Sequence, residues 1–313
     1  MKRCLYCYKE LGEETSEFHK ACSGKIFGTP IPPELPYSDD NILQLAEKVI
    51  KSQSTVTGVQ PKLSLHIEKL SKKDEPQRFT IVGLWGGYIL KPPTKQYSFL
   101  PEIEDLTMHL AEISGIEVVP HSLIRLSSGN LSYITKRIDR RNEIKIHMED
   151  MCQLTERLTE QKYNGSYEQI GKVIARYSAN PGLDIINFFE QVLFSFLTGN
   201  ADMHLKNFSL IDNPEMGYIL SPAYDMVATS LVVEGDQEEL ALTLNGKKNK
   251  IKKLDFIEAI SRFNVDSRAI ENMFNKFRST IYKWHDFIDI SFIPDEMKNS
   301  YHNIIGERFS QIN

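Results

Sequence analysis

Residues 184–209 read DIINFFEQVLFSFLTGNADMHLKNFS, and the rest of the chain is arranged around them. Ile185, Phe188, Phe189, Val192, Leu193, Phe196 and Leu197 recur at helical spacing, with only Glu190 and Gln191 for polar relief, so the first part predicts a buried helix that ends at Gly199. A polar loop, Asn200 to Asn207, follows directly, and Phe208-Ser209-Leu210-Ile211 then reads as a short strand. A rigid apolar helix therefore delivers an acid, Asp202, and an amide five residues later, Asn207, onto a loop between buried elements.

Protein kinases use this spacing in the loop whose Asp receives the substrate hydroxyl proton and whose Asn holds magnesium. That comparison demands a second metal-binding Asp shortly downstream, and Asp225 in LSPAYDM stands in the place of the Asp of the kinase Asp-Phe-Gly motif. Upstream, Lys91 closes the apolar strand Gly87-Tyr-Ile-Leu-Lys91, where its ammonium could reach nucleotide phosphates. The next helix, from Pro101, carries acids in its first turn, and in kinases a helix so placed supplies the Glu that pairs with the strand Lys. Glu104 is the better register and Glu102 the alternative.

Strand alternation around Phe79, Tyr88, Val118–Leu126 and Leu131–Arg141 gives way after residue 141 to helices, expected over 147–154, 166–177, 184–197, 253–263, 266–284 and from Asp295. A sheet-rich first half followed by a helical second half is an α+β chain. The strand ending in Lys136-Arg137-Ile138 is expected to join the halves, with its backbone against adenine. Before β alternation begins, Ser52, Ser54, Thr55, Thr57 and Gly58 form a hydroxyl-rich turn leading into Val59-Gln60-Pro61-Lys62. Such a turn lets backbone N–H groups approach phosphate oxygens, although it lacks the glycines of a Walker A loop. Within the Asp202 loop, His204 and Lys206 could face the transferring group, or His204 could pack the loop.

Four motifs taken together, TGNADMHLKNFSL, LSPAYDM, TGVQPKLSL and YITKRIDRR followed by EDMCQL, resemble the HipA family of bacterial toxin kinases, in the same order from about Lys51 to the C-terminus. The resemblance implies a two-lobed protein-kinase-like fold, ATP and Mg2+ as cofactors, and transfer of the γ-phosphate to a protein Ser or Thr. It assigns Asp202 to the attacking hydroxyl, Asn207 and Asp225 to magnesium, and Lys91 to the α and β phosphates. It also implies an aminoacyl-tRNA synthetase as substrate, a helix-turn-helix antitoxin as partner, and self-phosphorylation in the loop at residues 52–57, with Thr55 the direct counterpart. The longest family members carry an extra N-terminal subdomain; this chain looks like the short HipT type, for which a separate small protein replaces it. A small-molecule phosphotransferase and a nucleotide-binding pseudokinase are the competing classes, and the joint presence of Lys91, Asp202, Asn207 and Asp225 weighs against the second.

The N-terminus reads differently. Cys4-x2-Cys7 and His19-x2-Cys22 make a Cys3His set at knuckle spacing, expected to hold a structural Zn2+, the alternative being free thiols beside an unrelated His. Residues 1–30 are expected as this knuckle, 31–140 as the nucleotide-binding lobe and 141–313 as the helical lobe, with the Pro-rich TPIPPELPYSDD at 29–40 as a linker into a helix from about Asp40 to Lys51. Cys152 reads as a small core residue. Asn245-Gly246 predicts a hairpin turn, and the lysines after it could meet an acidic partner or simply be solvated.

At 313 residues with 41% apolar content the chain can bury a sizeable core. A formal charge of −5 argues against non-specific nucleic-acid binding by the bulk of the molecule, so contact with nucleic acid is expected only through the antitoxin. No apolar run approaches a bilayer span, and four cysteines, three of them at one end, do not make a secreted disulfide framework. A cytoplasmic location is the expectation.

Overall fold

The computed structural model describes residues 2–12, 16–42, 44–45, 61–68, 77–82, 85–141, 144–233, 235 and 238–312. The chain divides into two compact units, one of residues 1–105, 119–144 and 290–292, the other of 106–118, 145–289 and 293–313.

The first unit is built on a five-stranded antiparallel sheet. Its strands are β1 (Leu63–Glu68), β2 (Arg78–Val82), β3 (Tyr88–Lys91), β4 (His121–Arg125) and β5 (Leu131–Lys136), in the order β2-β1-β3-β5-β4. Alternation sets the core face: Leu63 and Leu65 of β1 and Leu90 of β3 are buried, while His66 of β1 is exposed. β3 pairs with β5 so that Lys91 lies opposite Tyr133. Helix α1 (Lys20–Phe27) precedes the sheet, and α2 (Leu100–Ile113) follows β3. Residues 39–42 and 44–45 are helical, the rest of the helix expected there lying outside the described residues.

The Pro-rich segment is no free linker. Glu34 N–H donates to Gln77 O at 2.8 Å and Glu34 O accepts from Phe79 N–H at 2.9 Å, so the segment lies along the outer edge of β2. Leu35 is buried, and the Tyr37 hydroxyl accepts from Ile81 N–H at 3.3 Å. Proline lacks a donor, but an edge position asks little of it, and Glu34 supplies the bonds that Pro32 and Pro33 cannot.

In the second unit, β6 (Met148–Asp150), β7 (Ser209–Asn213) and β8 (Gly217–Leu220) form an antiparallel sheet with β7 central. The helices are α3 (Met151–Leu154), α4 (Tyr167–Tyr177), α5 (Pro181–Leu197), α6 (Lys253–Ser261), α7 (Ser267–Asp289) and α8 (Asp295–Gln311). Residues 147–154, read as one helix from sequence, are a strand followed by a single helical turn. Asp150 ends β6 and N-caps α3, its carboxylate accepting from Gln153 N–H at 3.0 Å. Helix α5 starts earlier than its apolar run, with Pro181 at its first turn, where a missing N–H costs nothing. Phe188, Phe189, Val192, Leu193, Phe194, Phe196 and Leu197 of α5 are fully buried, which makes it the hub of this unit. Trp284 of α7 closes the core against Phe194, Phe277 and Phe309. At 244–247 the Asn245-Gly246 turn is closed by one bridge, Leu244 with Lys247, in place of a longer hairpin. Cys152 is buried.

Candidate active site

α5 ends at Leu197, and Gly199 leaves it at φ 69°, a left-handed turn that glycine adopts without penalty. The loop that follows is tied at nearly every residue. Asn200 N–H returns to Ser195 O at 2.8 Å, and Ala201 N–H reaches the Thr229 hydroxyl at 2.9 Å. Asp202 N–H donates to Asn200 Oδ1 at 3.1 Å. His204 caps a single 3-10 turn over Leu205–Asn207, with Nδ1 accepting from Lys206 N–H at 3.3 Å. Across that turn Asn207 Nδ2 donates to Asp202 O at 2.9 Å. The amide nitrogen of Asn207 is thus committed to holding the loop, and its oxygen is the atom with which it would meet a cation.

The Asp202 carboxylate is half-exposed, and its Oδ1 accepts from the Tyr163 hydroxyl at 2.5 Å. The Tyr163 ring stands edge-on to the His204 ring, centroids 5.0 Å apart. Burial drives the His204 pKa down to about 4, with the nearby Asp202 and Asp225 charges opposing the shift, so the imidazole is neutral near pH 7 and its Nδ1 remains an acceptor. Lys206 turns away to pair with Asp150 Oδ2 at 2.7 Å, so the cap of α3 also anchors the loop lysine.

Asp225 is brought to the same loop by the ladder. Ser221 N–H donates to Ser209 O at 2.9 Å, and the Tyr224 hydroxyl donates to Lys206 O at 3.0 Å while bonding the Ser209 hydroxyl at 2.5 Å. Tyr224 is therefore a strut between the two segments. Asp225 itself has φ 55°, in the left-handed region that Asp and Asn enter more readily than other residues with a Cβ. The three residues on which the sequence argument depends, Asp202, Asn207 and Asp225, thus lie on two segments of one unit that are bonded to each other.

In the other unit, Lys91 and Glu104 form a buried ion pair, with side chains only 4% and 2% exposed. Glu104 takes this role and Glu102 does not. The Lys91 ammonium also lies 5.4 Å from the centroid of Tyr133, its neighbour on β5. Two charges so fully withdrawn from water are costly unless each satisfies the other, and such a pair is weak ground for stability by itself. Lys136, the last residue of β5, is exposed, and just past it Ile138 is partly exposed while Arg137 forks onto Asp139 at 2.9 and 2.7 Å. Lys62 is exposed just before β1, and Ser52, Ser54, Thr55, Thr57, Gly58, Val59 and Gln60 lie outside the described residues.

Sequence reasoning passed over Tyr163 and the bracing roles of Asp150 and Tyr224. Tyr163 lies in a short polar loop with no periodicity to mark it. Tyr224 sits inside a motif in which only the neighbouring acid drew notice.

These features define a protein of kinase-like α+β fold. A chain of the Shewanella oneidensis MR-1 complex of HipA, HipB and operator DNA matches with a TM-score of 0.66 at 22% identity, covering 82% of this chain and 64% of that one. The Helicobacter pylori proinflammatory kinase CtkA matches with a TM-score of 0.54 at 15% identity, covering 80% and 92%. The HipA-like C-terminal domain family matches residues 54–284, and the chain belongs to that family. Among curated relatives, a Sinorhizobium fredii protein provisionally named a kinase, Y4dM, is 35% identical over 194 residues, 58% of this chain and 46% of that one. The serine/threonine-protein kinase toxin HipA of Shewanella oneidensis is 27% identical over 215 residues, 62% and 47%. The chain spans about half the length of the curated relatives it matches. No described helix is long and apolar enough to cross a membrane.

Proposed function

We propose that this chain is an ATP-dependent protein serine/threonine kinase of the toxin type. The observation that carries the reading is the clasp of Asn207 Nδ2 on Asp202 O across one 3-10 turn, with Asp225 strutted onto the same loop through Tyr224. Phosphoryl transfer is catalysed chiefly by positioning and by neutralising charge, and a pre-bonded loop of this kind supplies position. The donor set, one amide oxygen and one carboxylate, suits a hard cation such as Mg2+. When bound, Mg2+ neutralises the charge that develops on the ATP phosphates.

In this mechanism Asp202 orients the attacking Ser or Thr hydroxyl and accepts its proton. Asn207 and Asp225 hold the metal. Lys91, fixed by Glu104, contacts the α and β phosphates, and the backbone after Lys136 meets the adenine. Neutral His204 fixes the turn by accepting from Lys206 N–H. The chain also phosphorylates itself at one of the hydroxyls Ser52, Ser54, Thr55 and Thr57, with Thr55 the direct counterpart of the family's modified serine. The protein substrate is an aminoacyl-tRNA synthetase, and the neutralising partner is a helix-turn-helix antitoxin. The HipA–HipB–DNA complex that contains a structural match supports the antitoxin partner by kinship.

Purified protein incubated with γ-labelled ATP, Mg2+ and a cell lysate tests the reading. A labelled protein band, absent with Asp202→Asn and Asp225→Asn proteins that stay folded, is expected. Label found only in small molecules, or equal labelling by both variants, overturns it.

A further inference from the structure

We infer that Cys4, Cys7, His19 and Cys22 hold one Zn2+ ion, and that this ion clamps the helix carrying Glu104 through Tyr8 and Asp105. The ligand atoms of these four residues all lie within 4.8 Å of one another. His19 Nδ1 is 3.4 Å from Cys7 Sγ and 3.8 Å from Cys22 Sγ. Tetrahedral zinc, with bonds of about 2.3 Å to sulfur and about 2.0 Å to nitrogen, places such atoms about 3.6 Å apart. The ring is also oriented for the task. Its Nε2 lies 3.0 Å from Glu10 O, which puts the proton there and turns the Nδ1 lone pair toward the sulfurs. Four protein ligands close the shell, so the ion is structural.

The knuckle is folded tightly around that point. Cys4 N–H donates to Lys9 O and Tyr8 N–H to Cys4 O, each at 2.9 Å, while Tyr8 sits at φ 61°. His19 caps α1, and Cys22 lies in its first turn. A segment this short has too few apolar residues to hold such a turn unaided, and metal binding commonly provides the missing free energy.

What the knuckle touches gives the ion a role beyond its own loop. Leu5 O accepts from Leu123 N–H at 3.3 Å and from the Ser122 hydroxyl at 3.1 Å, seating the knuckle on β4. The buried Tyr8 hydroxyl donates to Asp105 Oδ2 at 2.8 Å, and Asp105 Oδ1 accepts from His121 Nδ1 at 2.7 Å. Asp105 is the residue after Glu104 on α2. Tyr8, one residue from the ligand Cys7, therefore fixes the turn of α2 that presents Glu104 to Lys91, and acts as a positioning residue. The coupling part of this inference rests on the kinase reading, whereas the metal part does not.

Native mass spectrometry of the full chain, before and after chelation, reads the metal directly, and refilling with Co2+ gives the spectrum of a tetrahedral site with thiolate ligands. One zinc per chain is expected, with the cobalt bands weakened in Cys22→Ser. A folded wild-type chain that takes up neither metal overturns the site, even should Cys22→Ser fail to fold. Hydrogen exchange of residues 100–105, measured without ATP, reads the clamp. Exchange about tenfold faster is expected after chelation, and also in Tyr8→Phe, which keeps its zinc. In the same Tyr8→Phe protein KM for ATP rises more than kcat falls. Unchanged exchange in both samples overturns the clamp, and absent phosphoryl transfer in the zinc-loaded wild type overturns only the kinase reading.

Discussion

Asp202 and Tyr163 show how a single hydroxyl conditions a site. If Asp202 accepts the proton of an alcohol, as the proposed kinase function requires, it needs one oxygen directed at that alcohol, and Tyr163 engages the other, Oδ1, at 2.5 Å. Hydrogen bonds to a charged group contribute on the order of 1.5–3 kcal/mol. Tyr163→Phe should therefore lower kcat about tenfold or somewhat more, a factor of ten being about 1.4 kcal/mol, while KM for ATP stays unchanged. Steady-state kinetics checks this, and a rise in KM with constant kcat would contradict it. Glu102 supplies a second test at this scale. Burial pushes its carboxyl up to about 7, Asp105 adding to the shift and Arg125 opposing it, with Tyr8 also within electrostatic reach. A raised folded-state pKa makes a stabilising contribution below the unfolded value of 4.5, lost as pH climbs through 7. Glu102→Gln should thus raise the melting temperature at pH 8, by no more than about 3 kcal/mol of stability, and change little at pH 4.5. Lys91 and Asp202 stand out in the sequence as candidates because a strand period and a loop spacing isolate them. Tyr163 does not, since its partner lies 39 residues away and no local pattern connects the two.

At the level of elements, pattern fixed most of the helices and misread the places where one residue serves two structures. Asp150 looks helical from its neighbours, yet it pairs with Ser209 on β7 and caps α3 at once. The prolines at 30–36 suggest a linker because propensity is blind to an edge that needs only Glu34's bonds. Gly86 is a further instance of tertiary demand hidden in sequence. A Cβ there would stand 2.4 Å from Leu65 O and 2.7 Å from Leu65 C, both backbone atoms of β1. The backbone of a central strand cannot retreat as a side-chain tip can. Gly86→Ala should cost about 1–3 kcal/mol, the range for forced overpacking. Because Gly86 leads into the strand that ends in Lys91, the variant should also weaken nucleotide binding. Urea unfolding with ATP titration checks both, and an unchanged midpoint would show that the strand shifts freely.

For the whole molecule, composition and charge bounded the class, while family and fold came from motif order, since no single motif here is specific. The change from strands to helices near residue 141 stands out in the sequence, whereas residues 290–292 join the first unit from far along the chain, which no composition shift marks. Two compact units also mean that unfolding need not be a single transition. A ligand that binds only the native protein stabilises it by mass action, about 2.7 kcal/mol at a hundredfold excess over Kd. For domains of this size that corresponds to a rise of about 5–10 °C in melting temperature. ATP with Mg2+ should produce this shift in the full chain, and ATP with EDTA a much smaller one. Asp225→Asn keeps a side chain that tolerates the left-handed backbone at φ 55° but removes the charge, so its melting temperature without ligand should match the wild type while the Mg2+-dependent part of the shift disappears. A shift that survives in Asp225→Asn would place the metal on other ligands, and no shift in the wild type would remove nucleotide binding from the account altogether.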